Sequence, residues 1–140
     1  MKKYRLVEDL TSDVMFEAYG RTMEELFANA AEALFSVMCY VGKVQPKEKR
    51  EVRVSAESVE GLAIAWLQEL IALVDTDVMF FSKFRIKEFR EKPSPSIVAE
   101  AYGEPASPEK GKIVVKAVTR YGFALQKDGG GYKLRVALDI

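Results

Sequence analysis

From Met23 onward the apolar residues recur at steps of three and four: Met23, Leu26, Phe27, Ala30, Leu34, Val37, Met38 and Val41. That spacing puts them on one face of a helix. Thr22 followed three residues later by Glu25 forms a capping box at its start, and Gly42 supplies a stop. A second helix is predicted from near Ser58, with Leu62, Trp66, Leu67, Leu70, Ile71 and Val74 along its apolar stripe and Asp75-Thr76-Asp77 at its end. Elsewhere the pattern changes to a period of two. Tyr4 to Asp9 and Val14 to Tyr19 read as short strands flanking a Leu10-Thr11-Ser12-Asp13 bend, and Glu51 to Ser55 alternates as a half-buried strand.

After the second helix the chain reads as almost entirely β. Met79 to Glu91 is a long strand in which Phe84 and Ile86 alternate with Lys83, Arg85 and Lys87. The odd spacing of Phe89 predicts a bulge. Ile97 to Tyr102, Ile113 to Thr119, Phe123 to Gln126 and Tyr132 to Leu138 follow as strands, with Asp128-Gly129-Gly130-Gly131 as a hairpin turn. The stretch Gly103 to Gly111, rich in glycine and proline, is expected to be the most flexible loop. No internal repeat is apparent. Short turns between successive strands favour an α+β fold in two layers. Two amphipathic helices would pack on a mostly antiparallel sheet, a mixed one being left open, in a single domain over residues 1–140.

Composition narrows the chemistry. With 49% apolar and 30% charged residues the chain is expected to be globular, and 21 basic against 21 acidic residues disfavour a free-standing grip on nucleic acid. No apolar run is long enough to span a bilayer and no signal peptide follows the basic N-terminus, so a cytoplasmic location is expected. The single cysteine, Cys39, lies in an apolar run and reads as a small buried hydrophobe. The absence of histidine removes the commonest general base and metal nitrogen ligand together.

Phosphate-loop, dinucleotide, zinc and nucleophile-elbow motifs are all missing. Two carboxylates remain of interest. Asp13 opens an apolar strand, an expensive place for a charge without compensation. Asp139 stands one residue from Ile140 and its terminal carboxylate, and such a concentration of oxygens suits a hard cation, Ca²⁺ or Mg²⁺. The alternative is neutralisation by lysine, with Lys116 the obvious candidate because it interrupts the apolar run Ile113 to Val118.

Several stretches together resemble the archease family, activators of the RtcB-type tRNA-splicing RNA ligase. They are Asp9-Leu10-Thr11-Ser12-Asp13-Val14, Ala18-Tyr19-Gly20, Met23-Glu24-Glu25-Leu26-Phe27, Trp66 to Leu70, Ala101 to Glu104, Val115 to Thr119 and Leu138-Asp139-Ile140. The resemblance implies a metal-binding site at Asp13, Asp139 and Ile140, most readily for Ca²⁺, with Lys116 functionally important beside it. It implies an accessory protein rather than an enzyme, one that promotes guanylylation and multiple turnover of the ligase. GTP and the catalytic metal would belong to the ligase, tRNA would be met only indirectly, and the chain would be a monomer or a weak homo-oligomer. Two family histidines are replaced, by Leu10 and Tyr121. Two other readings stay open: a small metal-dependent hydrolase or nuclease using Asp13, Asp139 and Lys116, and a general chaperone-like interaction module.

Overall fold

Strand β2 (Val14–Gly20) is the hinge of the architecture, because it pairs on both sides and then delivers the chain into the first helix. The computed structural model describes residues 2–7 and 14–140. Within them β1 (Tyr4–Val7) and β2 are followed by α1 (Met23–Met38), β3 (Glu48–Ser55), α2 (Val59–Asp77), β4 (Met79–Arg90), β5 (Ser96–Pro105), β6 (Ala117–Asp128) and β7 (Gly131–Asp139). The strands divide into two sheets, ordered β1-β2-β7-β6 and β3-β5-β4, and every pairing between neighbours is antiparallel.

Both helices start where the sequence places their caps. The Thr22 hydroxyl accepts from the Glu25 N–H at 3.1 Å, and the Ser58 hydroxyl accepts from the Gly61 N–H at 3.0 Å. The Glu25 carboxylate reaches back to the Arg21 N–H rather than to the cap residue itself. Helix α1 ends at Met38, three residues short of the apolar stripe. The cause is lateral: Tyr40 N–H donates to the Lys110 carbonyl and Lys112 N–H to the Met38 carbonyl, so Cys39 bridges to Gly111 as a strand would. Helix α2 continues through Asp77, whose carboxylate is held by Arg50 at 2.7 Å.

One apolar cluster draws on both sheets and both helices. Phe16 and Ala18 of β2 face it beside Val136 and Leu134 of β7, and Ile97, Ala99 and Ala101 of β5 face it from the other sheet. Trp66 is fully buried and its indole N–H donates to the Phe27 carbonyl at 2.9 Å, tying α2 to α1. Phe35 meets Phe81 edge-on, and Trp66 meets Phe84 the same way.

The expected irregularity in β4 is present twice. The register slips between Phe81 and Lys83 and again between Ile86 and Glu88, leaving Ser82 and Lys87 as extra residues. Two expected segments differ. Residues 113–116 form no strand, and β6 begins only at Ala117. The proline-rich stretch after Gly103 is built rather than loose. Strand β5 continues to Pro105, a single 3-10 turn covers Pro108–Lys110, and Glu104 holds both the Lys110 ammonium at 2.7 Å and the Gln45 N–H at 2.8 Å.

Candidate functional site

The end of β7 is where the sequence-derived site residues gather. In the β2–β7 ladder Val14 stands opposite Leu138, and in the β6–β7 ladder Ala117 stands opposite Asp139. The Lys116 N–H donates to the Asp139 carbonyl at 2.7 Å. The residues next to Asp13 and Asp139 are therefore cross-strand partners, and Lys116 is fastened to Asp139 through the backbone. Asp13 and Leu10 lie outside the described residues. Asp139, Ile140 and Lys116 are all exposed.

Among the described residues no lysine or arginine comes within 4 Å of the Asp139 carboxylate, and the Lys116 ammonium pairs with no acid. The alternative in which Lys116 neutralises Asp139 by a direct ion pair is thus absent from that set. No group of three or more histidine, cysteine or acidic residues suited to a metal occurs among the described residues either. The donors there, the Asp139 and C-terminal carboxylates, are hard oxygens that fit a Ca²⁺-type ion in kind. They are too few alone, since such ions take about 6–8 oxygens.

Tyr121 projects from the edge of the same sheet. Between Thr119 and Ala124 the β6–β7 register breaks, and the Tyr121 N–H turns back onto the Thr119 hydroxyl at 3.0 Å. Gly122 follows with φ +68°, a left-handed backbone that glycine adopts freely, and a Cβ added there would stand 3.0 Å from the Met15 methyl. Tyr121 is 58% exposed and stands outside the core.

Two other carboxylates were passed over in the sequence. Glu17 and Glu100 are almost fully buried, and each sits in an identical tetrapeptide, Glu-Ala-Tyr-Gly, at 17–20 and 100–103. Their surroundings repeat as well. The Tyr19 hydroxyl donates to Glu17 at 2.9 Å and the Tyr102 hydroxyl to Glu100 at 2.7 Å. Arg5 and Arg135 from the flanking strands hold Glu17 at 2.8 and 2.9 Å. Lys49, Arg85 and Lys87 surround Glu100 at 3.3, 3.4 and 3.8 Å. Burial alone would push the Glu17 carboxyl up, but hydrogen bonds from Tyr19, Arg135 and Arg5 outweigh it and hold the group below the usual range. The Tyr102 hydrogen bond does the most to lower Glu100, with Lys49 and Lys87 adding to it against desolvation.

The alanine of each tetrapeptide faces the core, and the glycine permits a backbone crossing. A Cβ on Gly20 would overlap the Leu26 backbone nitrogen in α1, and one on Gly103 would overlap the Phe80 carbonyl oxygen. The signal was legible as a four-residue identity, but it is too short to register as a repeat.

Cys39 is buried, with its thiol donating to the Phe35 carbonyl at 3.3 Å, and burial pushes its pKa up to about 12. It is unreactive packing. No helix among the described residues is long and apolar enough to cross a membrane.

Two antiparallel sheets sharing a pair of capped helices, with an exposed acidic strand end, define a small α+β protein of the archease type. The model of the Archease protein family (MTH1598/TM1083) matches residues 4–140, and the chain belongs to that family. It is 42% identical to protein archease of Methanosarcina mazei over 142 residues, covering 99% of this chain and 97% of the relative. It is 36% identical to that of Sulfurisphaera tokodaii, with both chains covered completely. The solution structure of Methanobacterium thermoautotrophicum protein 1598 superposes with a TM-score of 0.84 at 34% identity, covering 100% of each chain. An archease from Thermotoga maritima, described as a possible chaperone, shares the fold with a TM-score of 0.65 at 21% identity and 97% coverage of each chain.

Proposed function

We propose that this chain is an accessory protein that activates an RtcB-type tRNA-splicing RNA ligase, promoting guanylylation of the ligase and its multiple turnover without catalysing a reaction itself. The working part is the tip formed by Asp13, Asp139 and the Ile140 carboxylate, with Lys116 beside it. The observation that carries this reading is the register that sets Val14 opposite Leu138, together with the Lys116 N–H bond to the Asp139 carbonyl. It brings the neighbours of both aspartates together and leaves the Asp139 carboxylate without a cationic partner among the described residues.

Asp13, Asp139 and Ile140 would hold a divalent cation, Ca²⁺ in the first instance and Mg²⁺ as the alternative. Water would complete the shell of about 6–8 oxygens. A bound cation would supply a fixed positive centre at an otherwise acidic tip. GTP and the catalytic metal remain with the ligase. Family membership supports the accessory role, and a cytoplasmic location is part of the same proposal.

The test is a turnover assay with the cognate ligase, GTP and a cleaved RNA. This protein is expected to convert a single round of ligation into many, and Asp139→Ala to abolish that gain while the melting temperature is unchanged. Equal turnover with and without the protein refutes the reading. Titration calorimetry with Ca²⁺ examines the cation separately, since Asp139→Ala should remove any binding seen in the parent.

A further inference from the structure

The outward face of the β3-β5-β4 sheet carries more positive charge than its own acids need. Cross-strand partners share a face. The rows Lys49–Tyr102–Lys83, Glu51–Glu100–Arg85 and Arg53–Val98–Glu88 therefore stand side by side on it, with Arg90 opposite Ser96 at the end. The opposite rows, such as Val52–Ala99–Ile86, face the core. On the outward side Lys49, Arg53, Lys83, Arg85, Lys87 and Arg90 confront Glu51, Glu88, Glu100 and Glu104, an excess of two positive charges. The whole chain is neutral, so this excess is matched by acids elsewhere on the molecule.

Local structure concentrates the charge instead of dispersing it. One buried carboxylate needs one counter-charge, yet Glu100 has three cationic groups within 4 Å. The third belongs to Lys87, the extra residue of the second β4 bulge. Without Lys87, Ile86 and Phe89 would be two positions apart, which is the correct period for the inner face. The insertion is therefore surplus to packing, and its side chain is spent on the outer surface.

The face also lacks the centre that a protein interface needs. Apart from Val98, and Phe80 opposite Glu104 at one end, its outward rows hold charged and hydroxyl side chains, whereas stable protein contacts bury an apolar core. A polyphosphate needs no such core. Arg53 and Arg90 flank a shallow polar depression lined by Ser55, Ser96, Val98 and Glu88, with Arg53 also against Glu51 at 2.7 Å and Arg90 against Glu88 at 3.7 Å. Their guanidinium forks suit phosphate oxygens.

We infer that the outward face of the β3-β5-β4 sheet binds the phosphodiester backbone of RNA, weakly and without sequence preference. Contact of this kind would let the chain touch the RNA directly, on a different sheet from the one bearing Asp139 and Lys116. The inference stands apart from ligase activation and is tested without the ligase.

The experiment is NMR titration of the isolated protein with an unmodified tRNA transcript at about 20 mM salt, where screening is weak. Shifts are expected on the outward residues of β3, β4 and β5. Affinity should fall with salt at a log–log slope of about −2 to −3, as for roughly three phosphate contacts. The triple variant Arg53→Gln, Arg85→Gln, Arg90→Gln should weaken binding by about tenfold or more and flatten that slope. Lys43→Gln, Lys127→Gln, Lys133→Gln, with the same change in net charge, should leave it within twofold. No binding at low salt, shifts confined to the β1-β2-β7-β6 sheet, or equal loss in both triple variants would overturn the inference. Binding of poly-glutamate or of phosphatidylserine vesicles without RNA binding would overturn it too, giving the face to an acidic protein or a membrane. Should the arginine variant fail to fold, the wild-type shift map decides alone.

Discussion

Glu17 and Arg135 are cross-strand partners in the β2–β7 ladder, and the guanidinium grips the carboxylate through two hydrogen bonds of 2.9 and 3.2 Å. The pair is joined by Arg5 and Tyr19, so a carboxylate that is 2% exposed has every oxygen occupied. Replacing Glu17 with Gln keeps the shape and removes the charge. The flanking arginines are about half exposed and water can serve them, so the cost is expected at about 1–3 kcal/mol rather than that of a fully buried pair. Thermal melts at neutral pH should show a fall of about 3–10 °C. An unchanged melt would mean that the cluster contributes nothing to stability.

Acid should unfold this protein through the same groups. Both Glu17 and Glu100 are held below the ordinary carboxylate range in the folded chain. In the unfolded chain they return to about 4.3, so that state takes up protons first as the pH drops. The stability they contribute is complete above that value and is lost as the pH falls through their lower folded values. Melts are therefore expected to be flat from about pH 7 to 5 and to decline steeply below about pH 4.5. In Glu17→Gln the decline should be shallower, and parallel declines in the two proteins would rule Glu17 out as a source.

Gly103 allows β5 to pass against the Phe80 carbonyl, where a Cβ would overlap the oxygen. The neighbouring atoms are backbone and cannot rotate away. Gly103→Ala is expected to cost about 2–4 kcal/mol, and Gly42→Ala, where an added Cβ meets nothing, to be within about 0.5 kcal/mol of the parent. Chemical denaturation of the two variants makes the comparison. Similar midpoints would show that the crossing relaxes freely.

Val78 ends α2 in the left-handed region, at φ 53° and ψ 55°, with 60% of its surface exposed. A β-branched residue is poorly suited to that backbone, and glycine is the usual occupant of such a cap. Because little of the side chain is buried, Val78→Gly should stabilise the protein by about 1 kcal/mol, measurable as a higher denaturation midpoint. A lower midpoint would mean that contacts of Val78 with the Phe80 and Val114 neighbourhood outweigh the strain.

The helices, their caps and the β4 bulge were legible because each is fixed by residues close in sequence. Thr22 and Ser58 cap their own first turns, and Phe89 keeps its place beside Ile86 only if one residue is skipped. What escaped depends on distant partners. Ile113 to Val115 has the composition of a strand but pairs with no strand among the described residues, whereas Ala117 onward has β7. The early end of α1 follows from Gly111, far along the chain, and no local pattern announces it. Two sheets instead of one is likewise a matter of which strands meet. At the site, the adjacency of Asp139 and Lys116 comes from the β6–β7 register and the Lys116 N–H bond, which their spacing in sequence does not encode. Glu17 and Glu100 look like ordinary surface acids until the arginines and lysines of neighbouring strands close over them.

The extra residue at Lys87 has one more consequence. With it or without it, Ile86 and Phe89 point the same way, so the strand tolerates two lengths with a single interior. This chain can therefore gain or lose a residue at this position without renegotiating its hydrophobic contacts. The charge carried by the outward surface is free to drift on its own evolutionary clock.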